Sequence, residues 1–523
     1  RVTGWHRLAV TPASDRRLAL VLSTYPGKAH QLAHAVGLDA LASAEAIVRS
    51  LASAGHAVST AGNLGKALMV ERLEWPVSAY SETLSTLPCG LRDALFSAWG
   101  GPENDPAVID GAFRFDAIRR GNAIIALQPE RGEVTTRGDD YHDLSRTPRH
   151  AYVAFYLWLR TQGMDALVHI GAHGTLEWLP GKSVALSKEC WPEALIGPMP
   201  VIYPFVVNDP GEAAQAKRRI GAVTIGHLPP PMTDSALPAN LGHLERLLDE
   251  YSTADGLDPA RRDRLIGAIR DEARGQGLED DLGIPENASP AEAITRIDRF
   301  VCDIKESQYG DGLHIFGHGQ CGEEENAGLL AALSGKRLDG GPSGSPYRGR
   351  SDVLPTGRNL YTTDPRAVPS RAARAQGVKL AEELLRRHLQ DHGDWPKSLV
   401  VDLWGSATMR TAGEEFAMAL HLAGLAPKWD EGSERVSGFE IIPLALLRRP
   451  RIDVTLRVSG LFRDVFPGLA QLFETAAGAL AERAESVEDN PYLRPSPRVF
   501  GPRPGLYGLA MATAIEDYGA DGR

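Results

Sequence analysis

Short uninterrupted apolar runs alternate with stretches of helical periodicity along most of the chain. Leu18-Ala19-Leu20-Val21-Leu22 is an apolar run of the kind that forms a strand buried on both faces. From Leu38 to Ala54, Leu41, Ala44, Ile47, Val48 and Leu51 recur at helical spacing, and Gly55 supplies a stop. Gly121–Leu127 and Ala166–Ile170 read as further buried strands, with a helix over His150–Thr161 as the crossover before the second. Between Leu237 and Ser307 the pattern becomes all helical. Leu241, Leu244, Leu247, Leu248 and Tyr251 form one stripe, and Ser289-Pro290-Ala291-Glu292 opens a helix whose stripe is Ile294, Ile297, Val301 and Ile304. Gly340–Gly357 is a Gly/Pro/Ser/Arg-rich connection. Beyond it, helices over Leu380–Leu389 and Glu414–Leu425 alternate with strands over Leu399–Leu403 and Ile452–Val458.

This alternation predicts an α/β, multidomain protein with parallel-sheet βαβ-type layers and a helical region between them. The expected divisions are an α/β domain over 1–236, a helical region over 237–310, a glycine-rich connection and substrate loop over 311–357, and a second α/β domain over 358–523. The chain starts at Arg1 and stops at Asp521-Gly522-Arg523, which reads as a piece of something longer.

Composition narrows the function classes. A net charge of −11 argues against nucleic-acid binding, which needs clustered Lys and Arg. Cys89, Cys190, Cys302 and Cys321 form no C-x-x-C pair, so no zinc ribbon, iron–sulfur motif or disulfide framework is expected. The most apolar candidate for a membrane span, Met199–Val207, is interrupted by prolines and is far too short. A cytoplasmic location is the default expectation.

Candidate chemistry concentrates between Tyr141 and Arg219. In Leu167-Val168-His169-Ile170-Gly171-Ala172-His173-Gly174-Thr175-Leu176-Glu177-Trp178-Leu179-Pro180-Gly181-Lys182, a buried strand ends in a glycine-flanked turn, where α/β folds place functional groups. A helical turn after the glycine would bring His173 and Glu177 together at i, i+4. His142 and His150 lie just upstream. Imidazole and carboxylate suit a transition metal held loosely or the abstraction of a proton. A lone histidine near a strand end is usually a hydrogen-bonded structural residue; it is the cluster with a carboxylate and glycine turns that points to chemistry. Gly181-Lys182-Ser183 is no phosphate loop, because Leu176 stands where the pattern needs glycine. Any nucleotide hydrolysis therefore belongs to a partner.

Asn208-Asp209-Pro210-Gly211-Glu212 reads as a capped helix start, and that helix ends in Lys217-Arg218-Arg219. These cations fit either a helix C-terminal dipole or a clamp for substrate carboxylates. Arg348, Arg350 and Arg358 in the 345–359 loop suit an acidic ligand or interdomain ion pairs alike. His314 and His318 have metal-like i, i+4 spacing, but Gly312, Gly317 and Gly319 make a continuous helix there unfavourable.

The stretch His169–Lys182 resembles the signature of the large subunits of cobaltochelatase (CobN type) and magnesium chelatase (H type). The likeness continues in order through Cys190-Trp191-Pro192, Ile202-Tyr203-Pro204, Asn208–Glu212, Ala216–Arg219, Leu228–Thr233, Leu354–Asn359, Trp404-Gly405-Ser406 and Ser459–Asp464. Thr175, Trp178 and Leu179 look like the cobalt branch, and Ala172 stands where the pattern has threonine. The resemblance implies ATP-dependent insertion of Co(II), the substrate metal, into hydrogenobyrinic acid a,c-diamide in cobalamin biosynthesis. It also implies partner AAA+ ATPase subunits (CobS/CobT type) that bind ATP and Mg(II) in place of this chain. The reaction calls for a base, for which Glu177 and His173 are the candidates, and for weak metal ligands, drawn from His173, Glu177, His169 and His142. Binding of the tetrapyrrole falls to Trp178, Lys182, Lys217, Arg218, Arg219, Arg348, Arg350 and Arg358. The alternatives are the H-type protein of a magnesium chelatase acting on protoporphyrin IX, a non-catalytic tetrapyrrole-binding protein, and an α/β protein whose histidines are structural.

Overall fold

The computed structural model describes residues 1–504 other than 25–32, 34, 36, 133–144, 172–173, 231–238, 256–257, 286, 308–311, 345, 347–349, 362–363 and 431. The chain is α/β and divides into two compact units, Arg1–Thr362 and Thr363–Arg523.

The first unit is built on one sheet. Its strands are β1 (Leu18–Leu22), β5 (Ala117–Arg120), β6 (Ala123–Leu127), β7 (Ala166–Ile170), β8 (Val201–Val206), β9 (Val223–His227), β10 (Gly340–Gly341) and β11 (Asn359–Leu360); the order is β10-β11-β9-β8-β7-β1-β6-β5. The strands from β9 to β6 run parallel, while β5 and β11 pair antiparallel with their inner neighbours. Every residue of β1, β6, β7 and β8 is buried, which is why these strands are continuous apolar runs rather than alternating ones. The two faces belong to different cores. Leu167, Tyr203 and Phe205 face one, whereas Val168, Ile170, Ile202 and Ile225 face the other.

The helix His150–Thr161 is buried on all sides from His150 to Leu159. It is covered by a small antiparallel sheet of β2 (Leu73–Pro76), β4 (Ala112–Phe115) and β3 (Val108–Ile109). Phe115 of that sheet lies 5.5 Å from the Phe155 ring and 5.0 Å from that of Trp158. Each large apolar side chain taken out of water this way contributes roughly 1.5–3 kcal/mol, so the covering sheet fixes the helix firmly. Within the expected helical region the described helices are Ala239–Ala254, Pro259–Gly275, Leu278–Asp281 and Pro290–Ser307. Ser289 caps the last of these, its Oγ accepting from Glu292 N at 3.1 Å.

In the second unit β12 (Ser398–Leu403), β15 (Asp453–Val458) and β16 (Val499–Phe500) form a parallel sheet, and β13 (Leu425–Trp429) pairs with β14 (Val436–Ile441) as a hairpin. The expected helix Glu414–Leu425 stops at Leu422. Gly424, at φ +78°, turns the chain straight into β13, a conformation that costs glycine little. Among the described residues no helix is long and apolar enough to cross a membrane.

Candidate functional site

The signature leaves the carboxyl end of β7 in the middle of the sheet. Gly171, at φ +125°, takes the chain out of the strand, and a single 3-10 turn, Leu176–Trp178, follows. Two parallel strands then set up the first contact. His169 on β7 lies beside Tyr203 on β8, with ring centroids 4.5 Å apart, and the Tyr203 hydroxyl accepts the Gly174 N–H at 2.8 Å. His169 has no exposed surface, and burial pushes its pKa down to about 3, opposed only weakly by the nearby Gly171 backbone. The ring is therefore neutral at neutral pH. Neither ring nitrogen has a hydrogen-bond partner of good geometry among the described residues.

The helix His150–Thr161 supplies the second contact. Tyr152 and Tyr156, one turn apart, project from the same face. The Tyr152 hydroxyl lies 2.8 Å from Thr175 Oγ1, and Gln128 Nε2 donates to Tyr156 at 2.7 Å and to Tyr152 at 3.2 Å. Gly174 and Thr175 are thus pinned by two tyrosines from opposite walls.

Glu177 sits in the 3-10 turn with no exposed surface. Burial raises the pKa of Tyr152, Tyr156 and Tyr203, and the Glu177 charge raises each further. All three phenols therefore stay protonated at neutral pH.

Arg219 holds the turn from outside. It sits in a π-helical turn, Ala216–Ile220, that continues the helix Pro210–Gln215, capped by Asp209. Its guanidinium donates to the carbonyls of Glu177 and Leu179, each at 2.7 Å, and of Lys182 at 3.3 Å. Such π turns recur at functional sites. Gly181 lets the chain pass close to Cys190, whose Sγ accepts the Lys182 N–H at 3.4 Å; a side chain at Gly181 would meet Cys190 Cβ at 2.7 Å.

The remaining sequence candidates separate. Trp178 is fully buried, so it offers no stacking face to a ring in this conformation. Lys217 donates to Asn359 Oδ1, Arg218 to the carbonyls of Thr253 and Asp255, and Arg358 to those of Asp352 and Pro355. Arg350 pairs with Asp352 at 3.0 Å. These cations spend donors inside the protein, whereas the Lys182 side chain is exposed. His142, His173 and Arg348 lie outside the described residues. Among the described residues no group of three or more His, Cys, Asp or Glu gathers as a metal site. Sequence reasoning passed over Gln128, Tyr152, Tyr156 and Tyr203. The signals were the Ile202-Tyr203-Pro204 block and a pair of tyrosines at i, i+4 in a largely apolar helix.

The model of the CobN/Magnesium Chelatase family matches residues 1–327 and 318–520. The aerobic cobaltochelatase subunit CobN of Pseudomonas aeruginosa is 36% identical, over 98% of this chain and 54% of that protein. The H-type protein of the magnesium chelatase of Rhodobacter capsulatus is 28% identical, over 99% of this chain and 46% of its own length. Among solved structures, the catalytic subunit of cobaltochelatase from Mycobacterium tuberculosis superposes with a TM-score of 0.53 at 32% identity, covering 98% of this chain and 55% of that one. The chain spans about half the length of the relatives it matches. With its signature at the carboxyl edge of a parallel sheet and nearly its whole length matched, the chain belongs to the CobN/magnesium chelatase family.

Proposed function

We propose that this chain is the tetrapyrrole-binding, metal-inserting part of a cobaltochelatase large subunit. It acts with partner AAA+ ATPase subunits (CobS/CobT type), which bind ATP and Mg(II), to insert Co(II) into hydrogenobyrinic acid a,c-diamide. The observation that carries the reading is Glu177, fully buried in the turn that leaves the sheet's carboxyl edge. Identity to the cobalt enzyme of 36% over 98% of this chain, against 28% over 99% and 33% over 68% for two magnesium-chelatase proteins, supports cobalt.

Insertion removes two protons from ring nitrogens while the metal sheds its own ligands. In this reading Glu177 is the proton acceptor. Because it has no exposed surface, the proton reaches it through hydroxyls rather than by direct contact with the ring. Thr175 Oγ1 and the Tyr152 hydroxyl, 2.8 Å apart, are the first links of that path. A phenol kept protonated by burial can donate one proton as it accepts another. His173 remains the proposed weak ligand for incoming Co(II), on the sequence pattern alone. The exposed Lys182 meets a carboxylate of the macrocycle, and Arg219 holds the turn that carries Glu177.

The test supplies the full complex with Co(II) or Mg(II) and with either the corrin precursor or protoporphyrin IX. Cobalt insertion into the corrin precursor is expected. Preference for Mg(II) and protoporphyrin would favour the magnesium branch, and tight ring binding without turnover would favour a binding protein.

A further inference from the structure

A chain of buried polar groups reaches the signature from another strand. Gln128 directly follows β6, which lies beside β1 in the sheet. Its backbone is tied at both ends: the N–H donates to the Leu22 carbonyl at 2.9 Å, and the carbonyl accepts from Thr24 Oγ1 at 3.0 Å. The side chain is only 3% exposed, and a buried amide is costly unless its hydrogen bonds are made. The carboxamide nitrogen has two hydrogens. Two phenol oxygens receive them, Tyr156 at 2.7 Å and Tyr152 at 3.2 Å.

The amide also fixes direction. A hydroxyl can donate or accept, whereas an amide nitrogen only donates. Both phenol oxygens are therefore acceptors toward Gln128, and each phenol points its own hydrogen elsewhere. For Tyr152 the partner in reach is Thr175 Oγ1, 2.8 Å away, a contact in which either oxygen could otherwise donate. The Tyr156 oxygen already takes the shorter bond from the amide, which makes it the poorer acceptor for the Tyr152 hydrogen. Tyr152 and Tyr156 have no exposed surface, so bulk water does not compete to set these directions. In such a setting each hydrogen bond strengthens the next.

We propose that Gln128 is a positioning residue of the metal-inserting site: by donating to both phenols it turns the Tyr152 hydrogen toward Thr175 and so orients the hydroxyl pair at the signature turn. Its consequence for metal insertion rests on the chelatase reading, in which Thr175 and Tyr152 carry protons; the direction of the hydrogen bonds does not.

Two substitutions separate direction from packing. Gln128→Met keeps an unbranched side chain of similar length and removes both donors. Gln128→Glu keeps the shape and makes direction depend on protonation: the acid form donates, while the carboxylate only accepts and draws the Tyr152 hydrogen away from Thr175. Burial keeps Tyr152 and Tyr156 protonated, so the introduced carboxyl is the group of the three whose titration switches the bonds.

The experiment measures cobalt insertion by the full complex across the pH range in which the parent is active, with ring affinity by absorbance and urea midpoints alongside. Gln128→Met should be slower by roughly tenfold at every pH, the rate equivalent of one hydrogen bond, with ring affinity unchanged. Gln128→Glu should match the parent at the acid end and fall away from it as the carboxyl ionises. A packing role alone would keep Gln128→Glu level with the parent at every pH; that result, or Gln128→Met at the parent rate, would overturn the proposal. Should Gln128→Met fail to fold, the pH profile of Gln128→Glu still decides. Adding Gln128→Met to Tyr152→Phe should slow insertion no further than Tyr152→Phe alone, and losses that multiply would refute action through Tyr152. If Tyr152→Phe itself inserts cobalt at the parent rate, the proton path of the chelatase reading falls and this proposal with it. If Tyr152→Phe is slow and Gln128→Met is not, that reading stands and the proposal alone fails.

Discussion

Replacing Gly174 with alanine tests whether the two walls of the site really meet at the signature. Gly174 does not have a left-handed φ, so the backbone accepts alanine and any effect comes from space. The new methyl would stand 2.8 Å from both His169 Nε2 and the Tyr203 hydroxyl, and 2.9 Å from His169 Cε1. Comfortable separations are about 3.5–4.0 Å, so the atoms must retreat by roughly 0.7 Å or more. The His169 and Tyr203 rings are already 4.5 Å apart and fully buried, which leaves little slack. Overpacking of this kind costs about 1–3 kcal/mol, and stretching the Gly174–Tyr203 hydrogen bond adds about 1 kcal/mol. The alanine's smaller unfolded-state entropy returns roughly 0.4–1 kcal/mol. The expected net loss is about 1–3 kcal/mol, read as a lower urea midpoint in tryptophan fluorescence, together with slower cobalt insertion by the full complex. Gly267→Ala is the control, since nothing lies within 4 Å of its added Cβ on the helix Pro259–Gly275; it should be neutral or stabilising. A Gly174→Ala protein as stable and active as the parent would show that the contacts around Gly174 do not position the site.

Arg219→Lys should also destabilise the first unit, by about 2–4 kcal/mol, because an ammonium cannot span the three carbonyls that the guanidinium holds; a parent-like denaturation curve would refute this. Tyr152→Phe should slow cobalt insertion while leaving ring binding, measured by absorbance, unchanged; equal rates would remove Tyr152 from the proton path. The folded pKa of His169 is depressed to about 3, so below its ordinary value near 6.5 the unfolded chain binds more protons. Stability of the first unit should therefore be intact above pH 6.5 and fall as the pH drops from there toward 3, by up to about 5 kcal/mol from this group. Denaturation midpoints measured across that range should show a smaller loss in His169→Phe, and an identical loss would refute the assignment. Lys182→Ala should weaken ring binding by no more than about fivefold, an effect that vanishes at high salt, as befits one exposed charge.

Elements buried on every side were legible in the sequence because nothing interrupts their apolar pattern. The segments Leu18–Leu22, Ala166–Ile170 and His150–Thr161 are strands or helices with the bounds their patterns suggested. The strand β8 was hidden by Pro204, which reads against a central strand. It is tolerated because pairing with β7 ends at Ile202, short of the proline. Strand β9 was hidden by Thr224 and Gly226, which break its apolar run. At the site, local spacing pointed to the Glu177 turn but not to its surroundings. Tyr203 reaches Gly174 only through the register of two parallel strands, and Tyr152 reaches Thr175 only through packing of a helix against the sheet. Burial of Glu177 was equally invisible, since a glutamate in a glycine-rich turn ordinarily faces water.

The central claim is that Glu177 takes the protons released when the metal enters the ring. Glu177→Gln keeps the side chain's size and removes its charge, so the buried turn should persist. The decisive measurement is steady-state cobalt insertion by the full complex carrying this variant, with ring binding followed in parallel by absorbance. The account predicts unchanged ring affinity and a rate lower by ~10²-fold or more, the usual scale for losing a general base. Insertion at near the parent rate would contradict it.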